Sequence, residues 1–224
     1  MREGDDDKVN DIKKTIRKLA DKYAKELKKK SDERIEEMEA DDNSHYLIYR
    51  VLGVTTKEGY LIDKYQNLGR FLYKYAGSFL EEAAIMCFQY KYPDAKKTRV
   101  KNTQGKKPEN FEIDCLVGNN AYEIKWRDAT TDGDHITKEH TRIKVIQEYG
   151  YIPVRIMFYY PNRGQAIKIQ NTLQTLYSAV KGEYYFGDSA WEYIKTNTGV
   201  DLKQILTEIA EENDKLKRVR KIWH

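Results

Sequence analysis

An α/β or α+β fold, with a mixed sheet in the middle of the chain and helices before and after it, is what the 224 residues predict. Three observations carry this. Helix-like and strand-like segments follow in the order helix, three strands, helix, strand between residues 69 and 160. Long three- and four-residue periodicities flank that block on both sides, and the segment 111–127 alternates apolar and polar residues at period two. The length suits one domain with a real core plus a helical appendage.

From Lys8 to about Ala40 the apolar residues Val9, Ile12, Ile16, Leu19 and Tyr23 recur at helical spacing with no Gly or Pro between them. This predicts an amphipathic helix whose stripe needs cover. Residues 13–30 hold nine Lys or Arg against two acids, and residues 31–42 hold seven acids against one Arg, which points to charge-matched packing or a dimer contact. We expect residues 1–44 to form this helix and 45–224 a single domain, with its core at about 69–160 and a helical part at 161–224. Asp41-Asp42-Asn43-Ser44 is a helix-start signal before HYLIYRVLG, and Gly53 to Gly59 reads as a connection. A second long helix runs from Leu68 to about Tyr90, before Pro93.

Lys96 to Lys107 contains six basic residues and no acid, and Thr98–Asn102 alternates as a strand does. After the hairpin at 111–127 and the polar loop DATTDGDH, a helix is expected near Ile136–Tyr149, ending at Gly150. Ile152–Tyr159 is a buried-type strand. Helices are expected at about 165–180, 189–196 and 202–222, separated by Gly182, Gly187 and Gly199.

Composition narrows the classes of function. The net charge of +4 is small, but 34% of residues are charged, so local patches of both signs are expected. Cys87 and Cys115 lie in apolar segments without CxxC spacing, which argues against a disulfide framework or a zinc site. No apolar run reaches the ~20 residues a bilayer span requires, and MREGDDDKVND lacks a signal-peptide core, so a cytoplasmic protein with no membrane is expected.

The hairpin FEIDCLVGNNAYEIKWR carries the chemistry. Strict alternation puts Phe111, Ile113, Cys115, Val117, Tyr122, Ile124 and Trp126 on a buried face, and Glu112, Asp114, Glu123, Lys125 and Arg127 on the other. A two-residue loop at Gly118-Asn119, or a four-residue one, sets Asp114 opposite Glu123 and Glu112 opposite Lys125. Two carboxylates held that close repel each other unless a divalent cation joins them, and Mg²⁺ accepts such oxygens. A neighbouring lysine then orients or deprotonates a water, or stabilises charge on a phosphoryl group. The pattern (Asp or Glu)-x-Lys occurs six times in this charged chain, but only Glu123-Ile124-Lys125 lies in a clear strand. The competing reading is a solvated face with Glu112 and Lys125 paired across the strands.

These residues resemble the PD-(D/E)xK nuclease superfamily, in which an Asp and a Glu-x-Lys lie on adjacent strands of an α-β-β-β-α-β core. The likeness covers about residues 69–160, with Ile113 where the superfamily has proline. The string EIKWRDATTDGDHITKEH is most similar to type II restriction endonucleases of the ApaLI kind. The resemblance implies a restriction-endonuclease-like fold and a site-specific deoxyribonuclease. Asp114, Glu123 and the Ile124 carbonyl would ligate Mg²⁺, Lys125 would contact the attacking water, and a helix glutamate, Glu81 or else Glu82, would join them. It further implies a homodimer on a palindromic double-stranded DNA site and a cognate DNA methyltransferase as partner. A repair nuclease or junction resolvase of the same fold is the alternative within the class. A non-catalytic DNA-binding or interaction protein is the alternative outside it.

Lys101, Arg127, Asp128, Asp132, Asp134, His135, Lys138, His140 and Arg142 are candidates for contact with bases or phosphates. Capping of the following helix by Asp132 or Asp134 is the alternative, and the spacing of the Asp and His residues fits no known metal motif. Lys96, Lys97, Arg99, Lys106 and Lys107, with Lys217, Arg218, Arg220 and Lys221, extend the candidate phosphate footprint. The eighteen tyrosines show no stacking-module pattern.

Overall fold

A computed structural model describes residues 3–105, 107–127 and 134–215, with the side chains of residues 3–9 and of residue 134 excepted. Twelve elements follow in order: α1 (Glu3–Ala40), α2 (Tyr46–Val51), α3 (Thr56–Lys91), β1 (Lys96–Lys101), β2 (Asn110–Val117), β3 (Asn120–Arg127), α4 (Asp134–Glu148), β4 (Ile152–Tyr159), α5 (Gly164–Ala179), β5 (Glu183–Phe186), α6 (Asp188–Thr198) and α7 (Leu202–Lys215). The five strands form one mixed sheet in the order β1-β2-β3-β4-β5. The first three pair antiparallel, and β3, β4 and β5 run parallel. The expected α+β class, mixed sheet and α-β-β-β-α-β order are all present, within a restriction-endonuclease-like arrangement. No described helix is long and apolar enough to cross a membrane.

The stripe of α1 is covered inside the chain. Ile12, Ile16 and Leu19 are buried with Leu80, Ala84 and Ile205, between α3 and α7. Lys13 pairs with Glu208 of α7, and Arg17 pairs with Glu212. Opposite charge is therefore matched with α7, and locally by Lys28–Asp32, so the stripe itself calls for no second copy.

The connection read at Gly53–Gly59 is shorter than expected, because Thr55 and Glu58 form a reciprocal capping box that starts α3 at Thr56. Gly59 lies inside that helix. A Cβ there would come within 2.6 Å of the Tyr49 ring, so the glycine lets α2 lie close against α3. The Asp41–Ser44 signal forms a turn, with Asp42 accepting from the Ser44 N–H at 2.8 Å, and α2 has no side-chain cap. Strand β5 was not anticipated: EYYF is short and lies in a stretch read as a break between helices.

Hairpin β2–β3 closes through the two-residue loop Gly118-Asn119, with Gly118 at φ +55°. Its ladder pairs Val117 with Asn120, Leu116 with Ala121 and Cys115 with Tyr122. Strict alternation fails just beyond. Against β1, the step from Lys96 to Thr98 answers the longer step from Leu116 to Ile113, an extra residue in β2 that marks a bulge. Cys115, Tyr122 and Ile124 therefore face α3 and α6, while Phe111 and Ile113 face the other way and pack with Ala121, Val145 and Ile146 of α4. The single buried face expected from the sequence is in fact divided between two covered faces.

Candidate active site

Beyond the Cys115–Tyr122 pair the two strands part, and the Asp114 carboxylate enters the gap. Its Oδ2 accepts from the Ile124 N–H at 2.8 Å, which replaces a ladder bond with a side-chain one. Lys125 draws the acids together: its Nζ lies 2.6 Å from Glu123 Oε1 and 4.0 Å from Asp114 Oδ2. Asp114 and Glu123 are 6% and 8% exposed, so these carboxylates are not a solvated face. The expected pairing of Glu112 with Lys125 is absent. Glu112 instead binds Lys97 at 3.0 Å and Arg99 at 3.1 Å on β1, because the bulge turns it toward that strand.

Glu123 Oε2 receives Arg142 of α4. Arg142 also lies 3.2 Å from Glu139 Oε1, which accepts from Arg155 of β4 at 3.3 Å and from the Tyr177 hydroxyl of α5 at 2.6 Å. Three carboxylates and three cations thus meet under α4 and α5. Burial, then the neighbouring Glu123, push the Asp114 carboxyl up to about 7. Burial also works to raise Glu123, but Arg142, Lys125 and Arg155 outweigh it and hold that group below the usual carboxylate range. Burial works to lower Lys125, and Glu123 and Asp114 overcome it, so the amine stays a cation.

Lys125 connects this cluster to the outside. It lines a cleft of about 630 Å³ together with Tyr73, Ser78 and Glu81 of α3, Trp126 and Arg127 of β3, and Asn162 and Arg163 ahead of α5. The cleft opens at the carboxyl ends of the parallel strands β3 and β4, where α/β sheets commonly hold ligands. Of the two helix glutamates, Glu81 faces the site, accepting from Lys97 at 3.0 Å, whereas Glu82 accepts from Tyr23 of α1 at 2.7 Å.

The structure disperses the other candidates. Among the described residues, Arg127 alone of the expected DNA-contacting set lines the cleft. Lys101 is exposed at the end of the edge strand and Lys138 on α4, while His135 and His140 are half-buried on that helix. Arg142, expected at the DNA surface, is 6% exposed and directed at Glu123 and Glu139. Asp128, Asp132, Lys106 and the basic run at 217–221 lie outside the described residues, as does the Asp134 side chain. Cys87 and Cys115 are buried free thiols.

Glu139, Arg155, Tyr177, Lys74 and Arg163 had escaped the sequence reading. One signal was available: Glu139, Arg142, Ile143 and Ile146 stand at i, i+3, i+4 and i+7, which places the two charges on the buried face of α4. Arg155 likewise interrupts an otherwise apolar strand.

Among the described residues no group of three or more His, Cys, Asp or Glu converges as a metal cage. Asp114 and Glu123 nonetheless suit Mg²⁺, which binds through one or two carboxylates and keeps its waters. In an extended strand the N–H and C=O of one residue leave on the same side, so the Ile124 carbonyl faces the gap that Asp114 enters. No curated protein and no solved structure gives a significant match to the sequence. A family model described as ApaLI-like restriction endonuclease matches residues 5–211, from α1 into α7 and across every element that builds the cleft. With that match over most of its length, the chain belongs to the ApaLI-like restriction endonuclease family.

Proposed function

We propose that this restriction endonuclease is a Mg²⁺-dependent type II enzyme that hydrolyses phosphodiester bonds of double-stranded DNA at a specific, palindromic site. The observation that carries the reading is the meeting of Asp114, Glu123 and Lys125 at the inner end of an open cleft. Membership of the family supplies the nuclease activity and the DNA substrate. Asp114, Glu123 and the Ile124 carbonyl hold the cation. When bound, Mg²⁺ supplies positive charge against the phosphoryl oxygens and lowers the pKa of water. Lys125 directs its ammonium at the phosphate or the attacking water, and Glu81 bounds the site from α3. Arg127, Lys74 and Arg163 take neighbouring phosphates along the cleft wall.

The working unit is a homodimer, since cutting both strands of a palindrome suits two-fold symmetry. Its contact surface is the α2–α3 hairpin, where Val51, Leu52, Ile62 and Tyr65 are 74%, 75%, 55% and 51% exposed. Residues 45–224 carry the catalytic unit, braced by α1. A cytoplasmic location and a methyltransferase protecting the same site complete the reading. Discrete plasmid fragments in Mg²⁺, with none in chelator, are the expected result. Cleavage confined to branched junctions would replace this reading with a resolvase, and sequence-specific binding without cutting would remove catalysis.

A further inference from the structure

We infer that Glu139 is a positioning residue for the reaction: through Arg142 it fixes the Glu123 carboxylate so that one oxygen is committed to the guanidinium and the other is offered beside Lys125. The inference rests on the assignment of Asp114 and Glu123 as cation ligands. Glu139 is 5% exposed and does not line the cleft. Its Oε1 is the meeting point of Arg142 at 3.2 Å, Arg155 at 3.3 Å and the Tyr177 hydroxyl at 2.6 Å, so groups from α4, β4 and α5 lock it in place. Arg142 then reaches Glu123 Oε2, leaving Glu123 Oε1 on Lys125 at 2.6 Å.

Charge explains why a third acid is needed. Arg142 and Arg155 place two positive charges beside Glu123, and a divalent cation approaching that carboxylate meets their repulsion. Glu139 neutralises one of them, and with Asp114 and Lys125 included the six groups sum to zero. Without Glu139 the pocket is net positive, and both guanidinia draw more strongly on Glu123. A buried charge network of this kind is poor evidence for stability, because well-packed apolar side chains of the same volume are often as stable or more so. Orienting a ligand is a use that those apolar side chains cannot serve.

The test uses the full chain without DNA, with Mn²⁺ as the probe and free Mn²⁺ followed by electron paramagnetic resonance. Glu139→Gln keeps the shape and removes the charge; it should weaken Mn²⁺ binding about 10- to 100-fold, as loss of outer-shell partners does at metal sites. DNA affinity measured in chelator should stay within about twofold of the parent, since the residue lies away from the cleft. Glu139→Asp, which keeps the charge, should recover part of the Mn²⁺ affinity. Val145→Ala, a buried apolar change on the same helix, should lower stability without moving that affinity. Should Glu139→Gln fail to fold, Tyr177→Phe removes one of the bonds holding Glu139 and should weaken Mn²⁺ binding a few-fold.

Parental Mn²⁺ affinity in Glu139→Gln, or in Tyr177→Phe where only that variant folds, overturns the inference. So does an equal loss in Val145→Ala, which would make the effect structural. Glu123→Gln separates the two levels. If it too binds Mn²⁺ and cleaves as the parent does, the ligand assignment itself falls and the inference falls with it; if it alone loses the cation, the assignment stands and only the role of Glu139 is lost.

Discussion

The two faces of the sheet are both covered by helices but differ in chemistry. Toward α3 and α6, Phe88 stacks on Tyr122 at 4.3 Å, and Ile124, Ile156 and Phe158 fill the space with almost no exposure. Toward α4 and α5 the sheet is apolar at the hairpin-turn end, around Ala121, Ile113 and Ile146, but at the open end it buries Glu123, Glu139, Arg142 and Arg155. Each large apolar side chain on the first face stabilises the fold by roughly 1.5–3 kcal/mol on burial. The charges on the second face must first lose their hydration, and their mutual attraction does little more than offset that. The first face therefore holds the domain together, and the second holds a charged cluster in a fixed arrangement beside the cleft.

The sharpest way to break this comparison is Lys125→Ala. Cleavage should fall by about a thousandfold or more, which corresponds to a barrier rise of at least ~4 kcal/mol. DNA binding in chelator should change only modestly, because one cation is lost from a large phosphate footprint. Single-turnover cleavage and a binding isotherm decide it. A parental cutting rate would remove Lys125 from the chemistry; a folded variant that binds no DNA would make it a binding residue.

The converse substitution is Phe88→Ala on the apolar face. It should cost about 3–5 kcal/mol of stability in a denaturant titration, through lost transfer energy and the cavity left beside Tyr122. Well below its new midpoint the variant should still cleave. If it loses catalysis while fully folded, the division of labour between the faces is wrong.

A smaller effect tests the charged face through pH. The folded chain holds Asp114 up to about 7, against an unfolded value near 3.9, so the folded state keeps this proton longer. The stability this contributes is complete below about pH 4 and is lost as pH rises through 7. Glu123 has the opposite sign: its carboxyl is held down, so its contribution is present above its ordinary range and lost on acidification. Asp114→Asn removes the cost of ionising Asp114 beside Glu123. Without divalent cation it should be more stable than the parent by about 2–4 kcal/mol at pH 8, and the gain should shrink steadily as pH falls from 7 toward 4. A difference that is flat across that range would mean Asp114 is not raised.

The smallest effect concerns the cleft wall. Arg163→Ala should weaken DNA binding a few-fold, flatten the salt dependence by about one unit, and leave stability alone. An unchanged salt slope would place Arg163 off the path of the DNA.

The hairpin shows how far the residues could be read in advance. Gly118-Asn119 announced a turn of two or four residues, both in the same register, and the residues that pair across it are the ones a two-residue loop dictates. Asp114, Glu123 and Lys125 were recognisable as a group because strand alternation and the turn are both local. The division of the apolar set was hidden, because one extra residue in β2 reverses every side chain beyond it, and the bulge answers to pairing with β1 rather than to any local signal. Arg142 was misplaced for a related reason. A charged residue on a helix reads as solvent-facing until its neighbours Ile143 and Ile146 are seen to turn inward with it.

Periodicity, capping residues and turn chemistry act over a few residues. They determined the order of the elements other than β5, the helix-and-sheet class and the acid–lysine group without help from the rest of the chain. Choices between partners far apart in sequence belong to the tertiary structure alone. Among them are Glu81 facing the site while Glu82 faces Tyr23, α1 covered by α3 and α7, and EYYF recruited as a fifth strand. Each depends on the relative placement of whole elements, which follows from the joint burial of surfaces that no short window of sequence contains.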